Sequence, residues 1–299
     1  MLATLRGVIT LLLHGLHLLF WAVPLHVVAF LKLLAPTERT RLACSRGVTW
    51  IARSWIGGTI LIFRITQSVE WDVDGLEGLS PDEWYLVVCN HRSWVDIVVM
   101  LWQFHRRMPF PKFFIKRELI RVPILGLAWW ALDFPFMHRH SKEYLAKHPE
   151  AKRTDLEATR RACEHFRHTP TTVINFVEGT RFTPEKHARQ ASPFRHLLKP
   201  RAGGTAFVLG AMGDILHRIV DMTIVYQDGA DSFWDLCCGR LRQVAVRVRI
   251  REIPEWITQG DYEGNRAFRA RFQGWLNQLW TEKDAQLDEL RRAPAPEVA

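Results

Sequence analysis

Residues 8–34, VITLLLHGLHLLFWAVPLHVVAFLKLL, contain no acidic side chain and a single lysine near the end. About 20 apolar residues suffice to cross the ~30 Å hydrocarbon layer of a bilayer, so this stretch is the first constraint on the fold. A removable signal peptide fits it poorly. Arg6 is the only basic residue ahead of the run, the run is too long, and no small-residue cleavage site follows it. The segment reads as a retained membrane anchor, with Pro24 expected to kink the helix or turn it back to the same face. His14 and His17 have no carboxylate or thiol beside them, so they read as helix-packing or interfacial histidines rather than a metal pair.

A second segment, CSRGVTWIARSWIGGTILIFRI (44–65), is amphipathic, with Arg46 and Arg53 two turns apart and Trp50, Ile51, Trp55 and Ile56 supplying an apolar side. Basic, Trp-bearing helices of this kind lie in the headgroup plane. Residues 1–66 are therefore expected to form a two-helix membrane anchor. Arg39, Arg41 and Arg46 place the body that follows on the cytoplasmic side.

From about residue 68 strands and helices alternate. Strands are expected in VEWDV, EWYLVVC, KFFIK, FPFMHR, TVINFV, IVDMTIVY and QVAVRVRIREI. Helices are expected after Asp96, in LGLAWWALD, in the charged run from Lys142 to Arg167, over Gly203–Gly213 and over 262–289. That alternation predicts an α/β fold: one sandwich domain, residues 67–290, with a central mixed, mostly parallel sheet flanked by helices. The last residues, 291–299, read as a disordered tail. The five cysteines form no CxxC pair, which fits a reducing compartment without disulfides or a zinc ribbon. A net charge of +9 calls for an anionic partner. Nucleic acid is disfavoured, because the basic residues are scattered and no helix-turn-helix, zinc finger or RNP-type strand is present.

The most informative junction is VVCNHRSWVDIVVM, residues 87–100, where an apolar strand runs into Asn-His-Arg-Ser. Placing His91, Arg92 and Asp96 there costs stability unless the groups are paired or used. Asn90 or Ser93 capping a helix beside a satisfied core histidine explains the stretch as well as an active site does. Three further segments share the feature: FIKRELIRVPILG (114–126), INFVEGTRF (174–182) and LLKPRAGG (197–204). Each has a plain alternative. Lys116 and Arg117 can flank a strand on the surface, Glu178 and Arg181 can be an ion pair on a turn, and Lys199-Pro200-Arg201 can be a basic loop. Recurrence of the pattern at strand ends favours a ligand site, and Gly203 and Gly204 let backbone amides approach an anion.

Together these segments resemble the glycerolipid acyltransferases, the family typified by 1-acylglycerol-3-phosphate acyltransferase. Asn90, His91 and Asp96 match its NHxxxxD motif, and Lys116, Pro123 and Gly126 match its second. FVEGTR stands for the usual FPEGTR, with Val177 in place of proline, and Leu198-Lys199-Pro200 matches the fourth. All four occur in family order, and the FVEGTR variant is similar to bacterial inner-membrane members. The resemblance implies transfer of an acyl group from a thioester, acyl-CoA or acyl carrier protein, to the hydroxyl of a lysophospholipid. The acceptor it implies is 1-acylglycerol-3-phosphate, giving phosphatidate. No metal or other cofactor is implied.

His91 suits the role of general base, with Asp96 fixing its tautomer. Arg181 is expected to grip the acceptor phosphate bidentately with Lys116 as a point charge. Glu178 would orient Arg181 or bind a glycerol hydroxyl, and Gly179 and Thr180 of the same turn are expected to contact the acceptor's phosphate and glycerol. Arg92, Lys199 and Arg201 are candidate donor or phosphate contacts. Cys89 as a thiolate is the weaker alternative, since a cysteine inside VVCN more often packs in a core. Other readings are remodelling of lysophosphatidylglycerol or lysophosphatidylinositol, lipid hydrolysis, and lysolipid binding without turnover.

Overall fold

The computed structural model describes residues 1–137, 166–167, 169–227, 229, 231–262 and 264–292. Almost all of the expected charged helix over 142–167, the end of FPFMHR and residues 293–299 lie outside this set.

The chain opens with α1 (Leu2–Leu34), continuous through Pro24, and α2 (Glu38–Thr66). A capping box starts α2: Thr40 N–H donates to Thr37 Oγ1 (3.2 Å) and Thr37 N–H to Thr40 Oγ1 (3.3 Å). The two helices pack antiparallel, since His14 meets Phe63 (4.3 Å between ring centroids) and Trp21 meets Trp50 (6.3 Å). The histidines serve this interface. His17 Nε2 lies 2.9 Å from Trp55 O, and its ring fills the space over Gly58, where a Cβ would come within 2.2 Å.

By length and composition α1 could cross a membrane, yet both of its ends are fastened to the body. Near its start Gly7 lies against Trp234 and Cys238, and Gln67 Nε2 donates to Thr10 Oγ1 (3.0 Å) and Cys237 O (2.9 Å). At its end Lys32 Nζ donates to Asp133 Oδ1 (2.6 Å) and Ala131 O (2.8 Å). The helix therefore lies along the body rather than projecting from it, with Leu12, Leu16, Phe20, Val23 and Val27 pointing outward.

The body follows as β1 (Glu70–Asp74), β2 (Tyr85–Cys89), α3 (Val95–Phe104), β3 (Pro111–Phe113), β4 (Ile115–Lys116), a 3-10 turn (Arg117–Arg121), α4 (Leu125–Ala131) and β5 (Phe136–Met137). Then come β6 (Thr172–Phe176), α5 (Pro184–Gln190), α6 (Ala202–Met212), β7 (Arg218–Tyr226), α7 (Phe233–Cys237), β8 (Gln243–Glu252), α8 (Glu255–Thr258) and α9 (Arg266–Arg292). Six strands form one sheet in the order β1-β8-β7-β2-β6-β3, parallel at every pairing but β7–β8. The expected strand KFFIK is divided: Phe114 separates β3, in the main sheet, from β4, which pairs with β5. Helix α9 runs through Arg292, past the expected start of the tail.

Strand β2 is buried at all five residues, as the centre of a sheet covered on both faces requires. Its alternation sorts the two cores. Leu86 and Val88 pack with α6 and the Phe272, Leu276 and Trp280 face of α9. Tyr85, Val87 and Cys89 pack with Val99 and Met100 of α3 and Phe63 of α2.

Candidate active site

The parallel register puts the carboxyl ends of β2, β6 and β7 side by side, with Cys89 opposite Phe176 and Met222. Open α/β sheets bind ligands at this edge. Beyond Cys89 the Asn90 side chain extends the ladder: Nδ2 donates to Ile224 O (2.9 Å) and Oδ1 accepts from Ile224 N–H (3.0 Å). That pins the turn leading to His91.

Asp96, in the first turn of α3, reaches back over this turn. Its Oδ2 accepts from Arg92 N–H (2.6 Å), Ser93 N–H (2.9 Å) and His91 Nδ1 (2.8 Å). Its Oδ1 accepts from the Tyr226 hydroxyl (2.5 Å). Asp96 is wholly buried, and four donors offset the cost of burying an ionised carboxylate. With the carboxylate at Nδ1, that nitrogen is the donor, so in the neutral imidazole Nε2 is the acceptor. Nε2 has no hydrogen-bond partner among the described residues. The ring plane is fixed by stacking on Phe176, 3.8 Å away and inclined by 17°. Ser93 Oγ accepts from Val95 N–H (2.8 Å), but the N-cap of α3 is Trp94, with no side-chain capping bond, so neither Asn90 nor Ser93 is the expected cap.

Tyr226 was not among the sequence candidates. Burial, then the Asp96 charge, push its phenol well above the ordinary value, so it stays a donor. Tyr226→Phe removes one of four donors to Asp96 and is expected to lower turnover about tenfold while the protein still folds, since a hydrogen bond to a charged group contributes ~1.5–3 kcal/mol. Steady-state rates with thermal unfolding check this.

Glu178 corrects an expectation. Instead of orienting Arg181 or facing a glycerol hydroxyl, it is completely buried. Its Oε1 accepts from His91 N–H (3.0 Å) and Oε2 from Leu198 N–H (2.9 Å). It braces the β2 turn against the loop before α6. Burial pushes its carboxyl up to about 7, against the pull of the two amides. A raised carboxyl favours the folded state most at low pH. That contribution is whole below about 4.5 and is lost as the pH rises through about 7. Glu178→Ala strands two buried amides and leaves a void, an expected loss of about 3 kcal/mol, or ~5–10 °C in melting temperature. Thermal unfolding at pH 6 measures it.

The rest of the motif surrounds this brace. Gly179 turns the chain at φ +70, where a Cβ would crowd Arg201 Cδ at 3.2 Å. Thr180 Oγ1 accepts from Lys186 Nζ (2.9 Å). Arg181 is exposed, its guanidinium 5.4 Å over the Trp94 ring, three residues from His91. Arg201 is also exposed, and its N–H donates to Val177 O (2.8 Å) at the uncapped start of α6. Val177 itself is buried in the core. Arg92 turns aside, over the Phe182 ring (4.9 Å) and 3.4 Å from Asp231. Lys116, on β4, and Lys199 are exposed, the latter held through its backbone by Gln190 Oε1 (3.1 Å). Cys89 packs in the core, where burial raises its thiol well above the ordinary value, which argues against a thiolate.

A mostly parallel α/β sheet thus carries a His-x4-Asp pair at its carboxyl edge. Residues 70–226 match the Acyltransferase family, a span that holds His91, Asp96, Lys116 and the 178–181 turn, and the chain belongs to that family. It is 25% identical over 224 residues to 1-acyl-sn-glycerol-3-phosphate acyltransferase delta of Mus musculus, covering 69% of this chain and 53% of the relative. It is 24% identical over 253 residues to 1-acyl-sn-glycerol-3-phosphate acyltransferase 3 of Arabidopsis thaliana, covering 80% and 61%. The chain thus spans about half the length of the delta relatives. The crystal structure of PlsC, the 1-acyl-sn-glycerophosphate acyltransferase of Thermotoga maritima, superposes with a TM-score of 0.52 at 18% identity, over 97% of this chain and 99% of that one. That likeness shows a shared fold.

Proposed function

We propose that this chain transfers a fatty acyl group from a thioester donor to the free hydroxyl of 1-acylglycerol-3-phosphate, giving phosphatidate. The observation that carries this is the geometry of His91, whose Nδ1 is held by buried Asp96 at 2.8 Å while Nε2 has no partner among the described residues. Nε2 removes the acceptor hydroxyl proton as the oxygen attacks the thioester carbonyl. The tetrahedral intermediate collapses with loss of the thiolate, and the imidazolium returns its proton to the sulfur. Asp96 stabilises the imidazolium meanwhile. No enzyme-bound acyl group is needed, and no cofactor beyond the acyl-CoA or acyl carrier protein co-substrate.

Arg181, exposed over Trp94 beside the His91 turn, is assigned to the acceptor phosphate, with Lys116 and Arg201 as further cations. The outward apolar side chains of α1 support a membrane-associated enzyme, its helices lying in one leaflet. The basic start of α2 supports the cytoplasmic face of a bacterial inner membrane. The relatives named for 1-acyl-sn-glycerol-3-phosphate support the choice of acceptor. Labelled acyl-CoA offered with lysophosphatidate, lysophosphatidylglycerol and lysophosphatidylinositol tests it. Phosphatidate as the dominant product is expected, and preference for either other acceptor would overturn the assignment.

A further inference from the structure

Arg46, Trp50 and Arg53 lie on one stripe of α2, and that stripe lines a cavity of about 220 Å³. Lys112 of β3, Asp133 after α4 and Thr169 before β6 form the facing wall. The cavity is separate from the His91 site. Thr169 precedes β6, whereas the His91 turn follows Cys89, opposite the last residue of that strand.

Among the described residues its charge is unbalanced. Arg46, Arg53 and Lys112 make no ion pair among the described residues, and Asp133 is already engaged by Lys32 Nζ at 2.6 Å. Lys112 lies over the Phe166 ring, 4.5 Å from its centroid, with no hydrogen-bond acceptor among the described residues. Burial lowers its ammonium to about 8, and neighbouring Lys32 lowers it further against the pull of Asp133. Three cations facing one carboxylate that Lys32 already engages favour entry of an anion into this half-buried space. Two guanidiniums and an ammonium match the oxygens of a phosphate ester.

The surroundings select the kind of phosphate. Trp50 is 65% exposed at the cavity wall and stands edge-on to Trp21. Tryptophan concentrates at the headgroup level of bilayers. The outward side chains of α1 then continue as an apolar surface toward Phe20 and Val23. We propose that this cavity binds the headgroup phosphate of an anionic phospholipid, whose acyl chains leave past Trp50 along α1. Such a lipid would join the two-helix unit to β3 and the α4 loop, locking the body to the membrane independently of catalysis.

The test is calorimetric titration of the full chain in neutral detergent with dihexanoylphosphatidylglycerol below its micelle concentration. Saturable binding at one lipid per chain is expected. Arg53→Gln/Lys112→Met should weaken it at least about tenfold and Arg46→Gln about fivefold, taking ~1 kcal/mol for each cation–phosphate contact. Arg39→Gln/Arg64→Gln removes the same charge from α2 outside the cavity and should stay within about twofold. Because Arg46 is exposed, its variant reports even if the Lys112 double variant unfolds. Equal weakening by both double variants would mean diffuse attraction and overturn the proposal. So would inorganic phosphate binding as tightly as the lipid, which would make the occupant a free ion, or no saturable binding at all.

Discussion

His91→Ala is expected to lower acyl transfer about a thousandfold, within the ~10²–10⁴ that a positioned acid–base contributes. In the proposed mechanism the lipid hydroxyl is a weak nucleophile at neutral pH and Nε2 of His91 is its base, the other ring nitrogen being committed to Asp96. The variant should still fold, at a cost of about 2 kcal/mol for the lost bond to the Asp96 carboxylate. The ring is partly exposed, and what it loses is the stacking on Phe176 and the Asp96 contact. The backbone bonds of residue 91, N–H to Glu178 and carbonyl from Phe182 N–H, remain available to alanine. Initial rates with thermal unfolding in parallel separate a chemical defect from a structural one.

Asp96→Asn is expected to cost as much or more, ~10³–10⁴ in turnover, through the tautomer. The carboxylate accepts four hydrogen bonds, from His91, two backbone amides and Tyr226. An amide at that position must present either its oxygen or its NH₂ to Nδ1. If the oxygen serves the two backbone N–H groups, the NH₂ meets Tyr226. If the NH₂ meets His91 instead, the imidazole turns over its proton and Nε2 becomes a donor, which cannot take the hydroxyl proton. Either arrangement removes the charge that stabilises imidazolium. The change should appear in turnover far more than in acceptor affinity, since Asp96 is fully buried and in the proposed mechanism acts only through His91. Rates over a range of acceptor concentrations give that split.

Much of this site was legible because its central contact is local. His91 and Asp96 are five residues apart across one strand-to-helix turn, so spacing alone brings them within reach. Tyr226 was not legible, because its contact spans 130 residues and depends on β7 lying beside β2. The clue available was a tyrosine ending the apolar run IVDMTIVY at the carboxyl edge of a strand. Glu178 misled for a different reason. It follows buried Val177 at the end of a strand, and the turn through Gly179 breaks the alternation by which inward and outward side chains are told apart. The Lys32–Asp133 contact spans 101 residues, so apolarity alone could not distinguish a helix laid along the body from one standing across a bilayer. Helices α5 and α7 are too short for a period, although Thr183-Pro184 and Ser232 with Asp235 carried start signals.

The most direct test of the central claim is to supply labelled acyl-CoA and 1-acylglycerol-3-phosphate to membranes containing the wild-type chain or His91→Ala. Labelled phosphatidate is expected from the wild type, with formation reduced about a thousandfold in the variant. Phosphatidate made by His91→Ala at the wild-type rate would contradict it, as would a folded wild-type chain that makes none from either acyl-CoA or acyl carrier protein.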